Sequence, residues 1–97
     1  MIGTTIEQSK RLIEAGYLPE TADMHWFLGV ETPMLYATRC FYYSGQEFVV
    51  PAWSLGALWD LCEDYNLSFS TQEDRTDGII ETLVRKLVDK SPYDYDN

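Results

Sequence analysis

The sequence lacks an uninterrupted apolar run of the roughly 18 residues that a membrane-spanning helix needs. Its first residues also contain no basic region followed by an apolar block, so the pattern of a secretory signal peptide is missing. These two absences predict a cytoplasmic protein that has no membrane partner.

Residues that usually carry catalysis or bind metals are scarce. His25 is the only histidine, and Cys-x-x-Cys, Gly-x-Ser-x-Gly and glycine-rich phosphate-binding motifs are all missing. Cys40 and Cys62 are enough for one disulfide, but without secretion the expected state is two buried free thiols. The sequence therefore predicts no catalytic residues, no metal site and no cofactor, and it favours a protein that is not an enzyme.

Basic residues are also few. Seven lysines and arginines stand against sixteen aspartates and glutamates, which gives a formal net charge of -9. Such a field repels nucleic acid and anionic lipid, so no nucleic-acid partner is expected. Arg39 stands among aromatic residues, as in RNA-binding surfaces, but the net charge favours an arginine that lies along a sheet face. A solvated acidic surface is the simplest interpretation, and attraction of a basic protein is the alternative.

The chain nevertheless has enough apolar residues to form a core. Of its 97 residues, 45% are hydrophobic and 14% are aromatic, a composition that is typical of folded globular proteins. This length suits one domain over residues 1–97, in which the acidic residues 92–97 form a frayed tail.

The first helix is predicted over residues 4–16. Thr4 is the predicted N-cap, Glu7 lies at the spacing of a capping box, and Gly16 supplies the left-handed stop. The apolar stripe of this helix is narrow, which predicts a helix on the surface of a larger core.

Two further helices are predicted in the second half of the chain. One covers residues 54–65 with Ser54 as N-cap, and its internal glycine, Gly56, would permit close approach of another element. The other covers residues 76–90, with Thr76 or Asp77 as cap. Its apolar band is wide enough to contact more than one neighbour, a second subunit included.

Alternating side chains and turn residues predict the strands. The first two cover residues 24–28 and 34–43, joined by a hairpin loop. The third covers residues 48–50 and ends at Pro51, because proline cannot donate to a ladder. Residues 67–70 are predicted as a short fourth strand.

The aromatic residues predict both a core and a contact surface. Trp59 lies on the apolar side of the second helix and is predicted to be buried, whereas Trp53 either packs at the start of that helix or lines a contact surface. Aromatic side chains are enriched at protein interfaces. The predicted interaction surface consists of Trp53, Tyr36, Tyr42, Val84 and Val88.

Two other functions stay open. A metal site on His25 and Asp23 would be completed by Glu31 or Glu47, although an ordinary strand histidine explains the same pattern. A small hydrolase centred on His25 would need a pocket that places it against Asp23, a cysteine or another acid. An acidic inhibitor that mimics nucleic acid would need several carboxylates gathered on one exposed surface. Those carboxylates would be Asp60, Glu63, Asp64, Glu73 and Asp74.

Two blocks of the sequence resemble a group of small bacterial and phage proteins without an assigned activity. The blocks are TIEQSKRLIEAGYLPETADM at residues 5–24 and VPAWSLGALWDL, with its Pro-Ala-Trp-Ser-Leu core, at residues 50–61. The resemblance implies a small α+β domain from a prophage or mobile element, and it carries over no functional residues.

The elements together predict an α+β fold, in which three helices pack on one face of a small, mainly antiparallel sheet of three to four strands. The expected function is that of a non-enzymatic interaction or accessory protein. Its partner is either another protein or a second copy of the chain in a homodimer.

Overall fold

In a computed structural model, the described residues form three α-helices and a three-stranded antiparallel sheet, which confirms the predicted α+β class. The structure describes residues 3–29, 31–38, 48–67 and 75–90. The elements in chain order are α1 (Ile6–Ala15), a 3₁₀ turn (Pro19–Thr21), β1 (Met24–Phe27), β2 (Met34–Tyr36), β3 (Val49–Ala52), α2 (Leu55–Asp64) and α3 (Thr76–Lys90).

The buried apolar cluster of the described residues lies mainly among the helices. Helix α3 contacts both α1 and α2, and α1 also contacts β3. The indole of Trp53 joins this cluster from the segment between β3 and α2. The other central members are Leu12, Leu58, Leu61, Leu83 and Leu87.

Helix α1 begins one residue later than predicted. Thr5 is the N-cap, and its hydroxyl accepts the Gln8 N–H at 3.1 Å while the Gln8 side chain accepts the Thr5 N–H at 2.9 Å. The predicted cap, Thr4, is fully buried and its hydroxyl instead accepts the backbone N–H of Trp53. Gly16 ends the helix at φ 107°, as its sequence position predicts.

The sheet has the order β2-β1-β3, with both pairs antiparallel. The Leu28 N–H donates to the Phe48 carbonyl at 2.7 Å, just beyond the β1–β3 pairing. Hydrogen-bonded and non-hydrogen-bonded pairs alternate in such a ladder. The pair His25–Pro51 is therefore non-hydrogen-bonded, and the proline nitrogen faces away from β1. Pro51 lies within β3 and does not end it, because an edge strand tolerates proline at this position.

The second strand is shorter than predicted. It ends at Tyr36, and the chain bends at Ala37 and Thr38. The rest of that prediction, residues 39–43, lies outside the described residues, as do residues 68–70 of the predicted fourth strand and the predicted tail at 92–97.

Helix α2 confirms the prediction of its start. The Ser54 hydroxyl accepts the Ala57 N–H at 3.2 Å. Gly56 does not serve a close approach, since a Cβ placed there would meet only the Ser54 hydroxyl, at 3.8 Å.

Helix α3 has the predicted bounds but not the predicted cap. Thr76 and Asp77 both lie inside its first turn, and the Ile79 N–H donates to the carbonyl of Arg75, the residue before the helix. The predicted apolar band is buried at Ile80, Leu83, Val84 and Leu87. Over the part of the chain that the structure describes, no helix is long and apolar enough to cross a membrane.

Candidate functional site: an apolar groove at the hairpin

The structure buries Trp53 and leaves Trp59 partly exposed. Trp53 is fully buried, and its indole N–H donates to the Thr21 hydroxyl at 3.0 Å. Trp59, predicted to be in the core, is 42% exposed on α2. The physical reason is that the helices close around the chain segment before α2, where Trp53 lies, and Trp59 falls at the edge of the buried face.

The predicted interaction surface is not brought together. Trp53 and Val84 have no exposed area, so neither is accessible to a partner, and Val88 is half-buried against the helical core. Tyr36 is 40% exposed on β2, where it was predicted to be available. Tyr42 lies outside the described residues.

The clearest apolar surface lies at the loop end of the sheet. A groove of about 940 Å³ opens there between the end of β1, the loop that follows and the start of β3. We call it the hairpin groove. Its lining residues are Leu28, Gly29, Glu31, Thr32, Met34 and Phe48.

Backbone pairing fixes the walls of the hairpin groove. The Leu28–Phe48 hydrogen bond holds these two residues opposite each other at the end of the β1–β3 ladder. On the other side of β1, Met34 pairs with Phe27. A Cβ at Gly29 would lie 2.7 Å from the Phe27 ring, so the ring lies against the glycine where a larger residue would displace it.

Sequence reasoning missed the two exposed large apolar residues of the groove. Met34 is 49% exposed and Phe48 is 57% exposed. Both were assigned to strands, but alternation alone does not tell which face of a strand is covered. The available signal was that both faces of residues 24–28 and 34–36 carry large apolar side chains, more than a small sheet buries on one side.

His25 is placed in a structural environment. Its Nδ1 lies 2.6 Å from the Thr38 carbonyl, which can only accept, so Nδ1 carries the proton and donates. Its ring stacks on Tyr36, with ring centroids 5.2 Å apart. The ring therefore fixes the bend after β2.

Asp23, the acid predicted to lie beside His25, is used elsewhere. Both carboxylate oxygens of Asp23 accept hydrogen bonds from Ser54, one from its N–H and one from its hydroxyl. Asp23 thus supports the start of α2, where a negative charge is favourable. Within the described ranges, no three histidine, cysteine or acidic side chains gather as metal ligands. Glu47 lies outside those ranges.

The buried titratable groups near the core are held in their neutral forms. Burial raises the pKa of the Cys62 thiol, which disfavours the reactive thiolate. Burial also raises the pKa of Tyr17, whose hydroxyl donates to the Leu87 carbonyl at 2.6 Å. Cys62 is a buried free thiol as predicted, and Cys40 lies outside the described residues.

A second candidate surface, which is acidic, lies on α2. Asp60, Glu63 and Asp64 are all exposed on the side of the helix opposite its buried leucines. Glu73 and Asp74, which the nucleic-acid-mimic hypothesis adds, are outside the described ranges.

Comparison of the chain with protein-family models, with curated proteins and with solved structures finds no match in any of the three. The resemblance to small bacterial and phage proteins therefore stays a prediction.

Proposed function

We propose that this protein binds another protein, and that the hairpin groove receives a short segment of that partner. The observation that carries the proposal is the joint exposure of two large apolar side chains that line the groove, Met34 and Phe48, with the exposed Tyr36 beside Met34 on β2. Exposed apolar patches on small proteins commonly mark interaction surfaces.

The size of the patch favours a short segment over a second copy of the chain. Met34, Tyr36 and Phe48 are 49%, 40% and 57% exposed, which amounts to about 100 Å² each and on the order of 300 Å² together. A stable dimer interface buries about 800 Å² on each partner. The net charge of -9 on each copy adds repulsion to self-association.

Affinity capture with matched variants tests the proposal. The groove variant is Met34→Ser with Phe48→Ser, and both side chains are exposed enough for the fold to tolerate the changes. The control is Leu18→Ser, which removes a side chain that is 62% exposed and does not line the groove. Circular dichroism verifies that each variant is folded.

We expect the wild-type chain and the Leu18→Ser variant to capture the same proteins from a lysate of the source cells, and the groove variant to lose them. Equal capture by all three would contradict the proposal. Sedimentation of the purified chain should give the 11.2 kDa of a monomer. If the wild-type chain instead forms a stable dimer that the groove variant disrupts, the partner is a second copy of the chain and not another protein.

A second candidate function rests on the acidic face of α2. Asp60, Glu63 and Asp64 present three exposed carboxylates over little more than one helical turn. We infer that such a face would occupy a phosphate-binding surface of a basic protein. Displacement of DNA from a basic DNA-binding protein tests this function. Loss of the displacement in a variant that combines Asp60→Asn, Glu63→Gln and Asp64→Asn would favour it. Loss in the groove variant alone would favour the first function.

A further inference from the structure

The described charges of this protein are divided unevenly between two parts of the fold. Ranges 16–38 and 48–67, which hold the connector, the sheet and α2, contain six acidic residues and neither lysine nor arginine. The six described lysines and arginines lie on or next to α1 and α3. Two of them, Arg11 and Arg85, are paired with Glu81.

The hairpin groove shares the charge of the acidic part. Among the described residues that line it, Glu31 is the only ionisable side chain, and it is exposed at the rim. A segment that enters the groove therefore meets one carboxylate, several apolar side chains and a net charge of -9 on the whole chain.

We propose that the segment recognised by the hairpin groove is both apolar and basic, with lysine or arginine between its apolar anchors. This inference rests on the proposed function and names the chemistry of the partner. The apolar anchors bury against Met34 and Phe48, and a cation on the segment lies near Glu31.

The magnitudes assign different roles to the two kinds of contact. A single exposed ion pair strengthens a complex by no more than about fivefold, so the apolar contacts supply most of the affinity. The net charge of the protein acts on the association rate, which electrostatic steering changes by about 10- to 1,000-fold at low salt. Charges beyond the Debye length of about 8 Å are screened at physiological salt. The acids far from the groove therefore act mainly at low ionic strength.

Selection from a displayed library of short random peptides tests the inference. The library is selected on the immobilised wild-type chain and depleted on the folded variant that carries Met34→Ser and Phe48→Ser. We expect the remaining peptides to combine apolar residues with an excess of lysine and arginine over acids. Their association rate should fall at least about tenfold between low and physiological salt.

Two variants separate the local charge from the net charge. Glu31→Gln and Glu20→Gln each remove one exposed carboxylate, but only Glu31 lines the groove. We expect Glu31→Gln to weaken binding of a selected basic peptide several-fold more than Glu20→Gln does.

The outcomes distinguish this inference from the proposed function. Peptides that need the groove but are uncharged or acidic would overturn the basic partner and leave protein binding by the groove in place. If the depletion step on the groove variant removes every peptide selected on the wild-type chain, binding does not need the groove, and the proposed function and this inference are overturned together. Equal loss from Glu31→Gln and Glu20→Gln would remove the local contact with Glu31 as the source of the preference.

Discussion

At the residue scale, Thr4 joins three parts of the fold. Its backbone N–H donates to the Trp53 carbonyl and its hydroxyl accepts the Trp53 N–H, both at 2.9 Å. The same hydroxyl lies 2.8 Å from the Ser9 hydroxyl, and the Thr4 carbonyl accepts the Trp26 indole N–H at 2.8 Å. Thr4 therefore holds the N-terminal segment against β1, α1 and the start of α2.

Replacing Thr4 separates this role from helix capping. Thr4→Val keeps the shape but leaves the buried Trp53 N–H without its acceptor, which costs about 1–3 kcal/mol. Thr5→Val removes the N-cap of α1, which costs about 0.5–2 kcal/mol. Urea unfolding measures both, and a neutral Thr4→Val variant would contradict the assigned hydrogen bond.

The two tryptophans give a second matched pair. Trp53→Phe removes the hydrogen bond to Thr21 and leaves space in the core, so we expect the free energy of unfolding to fall by about 1–3 kcal/mol. Trp59→Phe changes a side chain that is 42% exposed and should stay within about 0.5 kcal/mol. If urea unfolding instead shows the larger loss of stability for Trp59→Phe, Trp59 is the core residue, as the sequence predicts.

At the scale of elements, two glycines at helix ends differ in whether the backbone needs glycine. Gly16 has φ 107° at the C-cap of α1, where any other residue is strained. Gly56 lies in the first turn of α2 and is exposed, and a Cβ there finds no contact closer than 3.8 Å.

Alanine at these two positions should therefore change stability in opposite directions. Gly56→Ala reduces the freedom of the unfolded chain and is expected to stabilise by about 0.4–1 kcal/mol. Gly16→Ala is expected to destabilise by about 1–2 kcal/mol, the cost of the left-handed conformation. Thermal unfolding of the two variants measures both, and destabilisation by Gly56→Ala would show that α2 does need glycine there.

Glu81 connects α1 to α3. Its carboxylate accepts hydrogen bonds from Gln8 and Arg11 on α1 and from Arg85 one turn further along α3. Partial burial acts to raise the pKa of Glu81, but these three hydrogen bonds outweigh it and hold the pKa below its usual value.

The lowered pKa sets the sign of a pH effect. A carboxylate that is favoured in the folded state contributes stability above the ordinary glutamate pKa of about 4.3, and this contribution is lost as the pH falls through the lower folded-state value. The Glu81→Gln variant should therefore be less stable than wild type at neutral pH, and the two should converge in acid. Urea midpoints from neutral to acid pH measure the difference, and one that stays constant would contradict the contribution of the charge.

At the scale of the whole molecule, the excess of acids opposes compaction. The formal charge is -9 on 97 residues, and like charges repel most in the compact state. Sodium chloride screens this repulsion, so we expect the melting temperature at neutral pH to rise by a few degrees between low and moderate salt. The rise should vanish close to the isoelectric point of about 4.3, and a melting temperature that falls with salt would mean that the ion pairs around Glu81 outweigh the repulsion.

Local signals were enough to locate most elements. Ser54 and Gly16 act through the backbone geometry of the residues next to them, and the apolar band of α3 acts through its periodicity. The observed helix bounds agree with these signals. The hairpin groove was not predictable in this way, because the exposure of Met34 and Phe48 depends on how far the rest of the fold covers the loop end of the sheet.

The sequence by itself determined the α+β class, the positions of the three helices and the acidic balance, since these follow from composition, capping residues and short-range periodicity. Tertiary structure alone decided the places of Thr4, Pro51, Trp53 and Trp59. Each of these depends on a neighbour distant in the chain: a buried acceptor, the edge of a sheet or a gap between helices. Burial depends on which elements pack against each other, so the residue pattern along one element does not determine it.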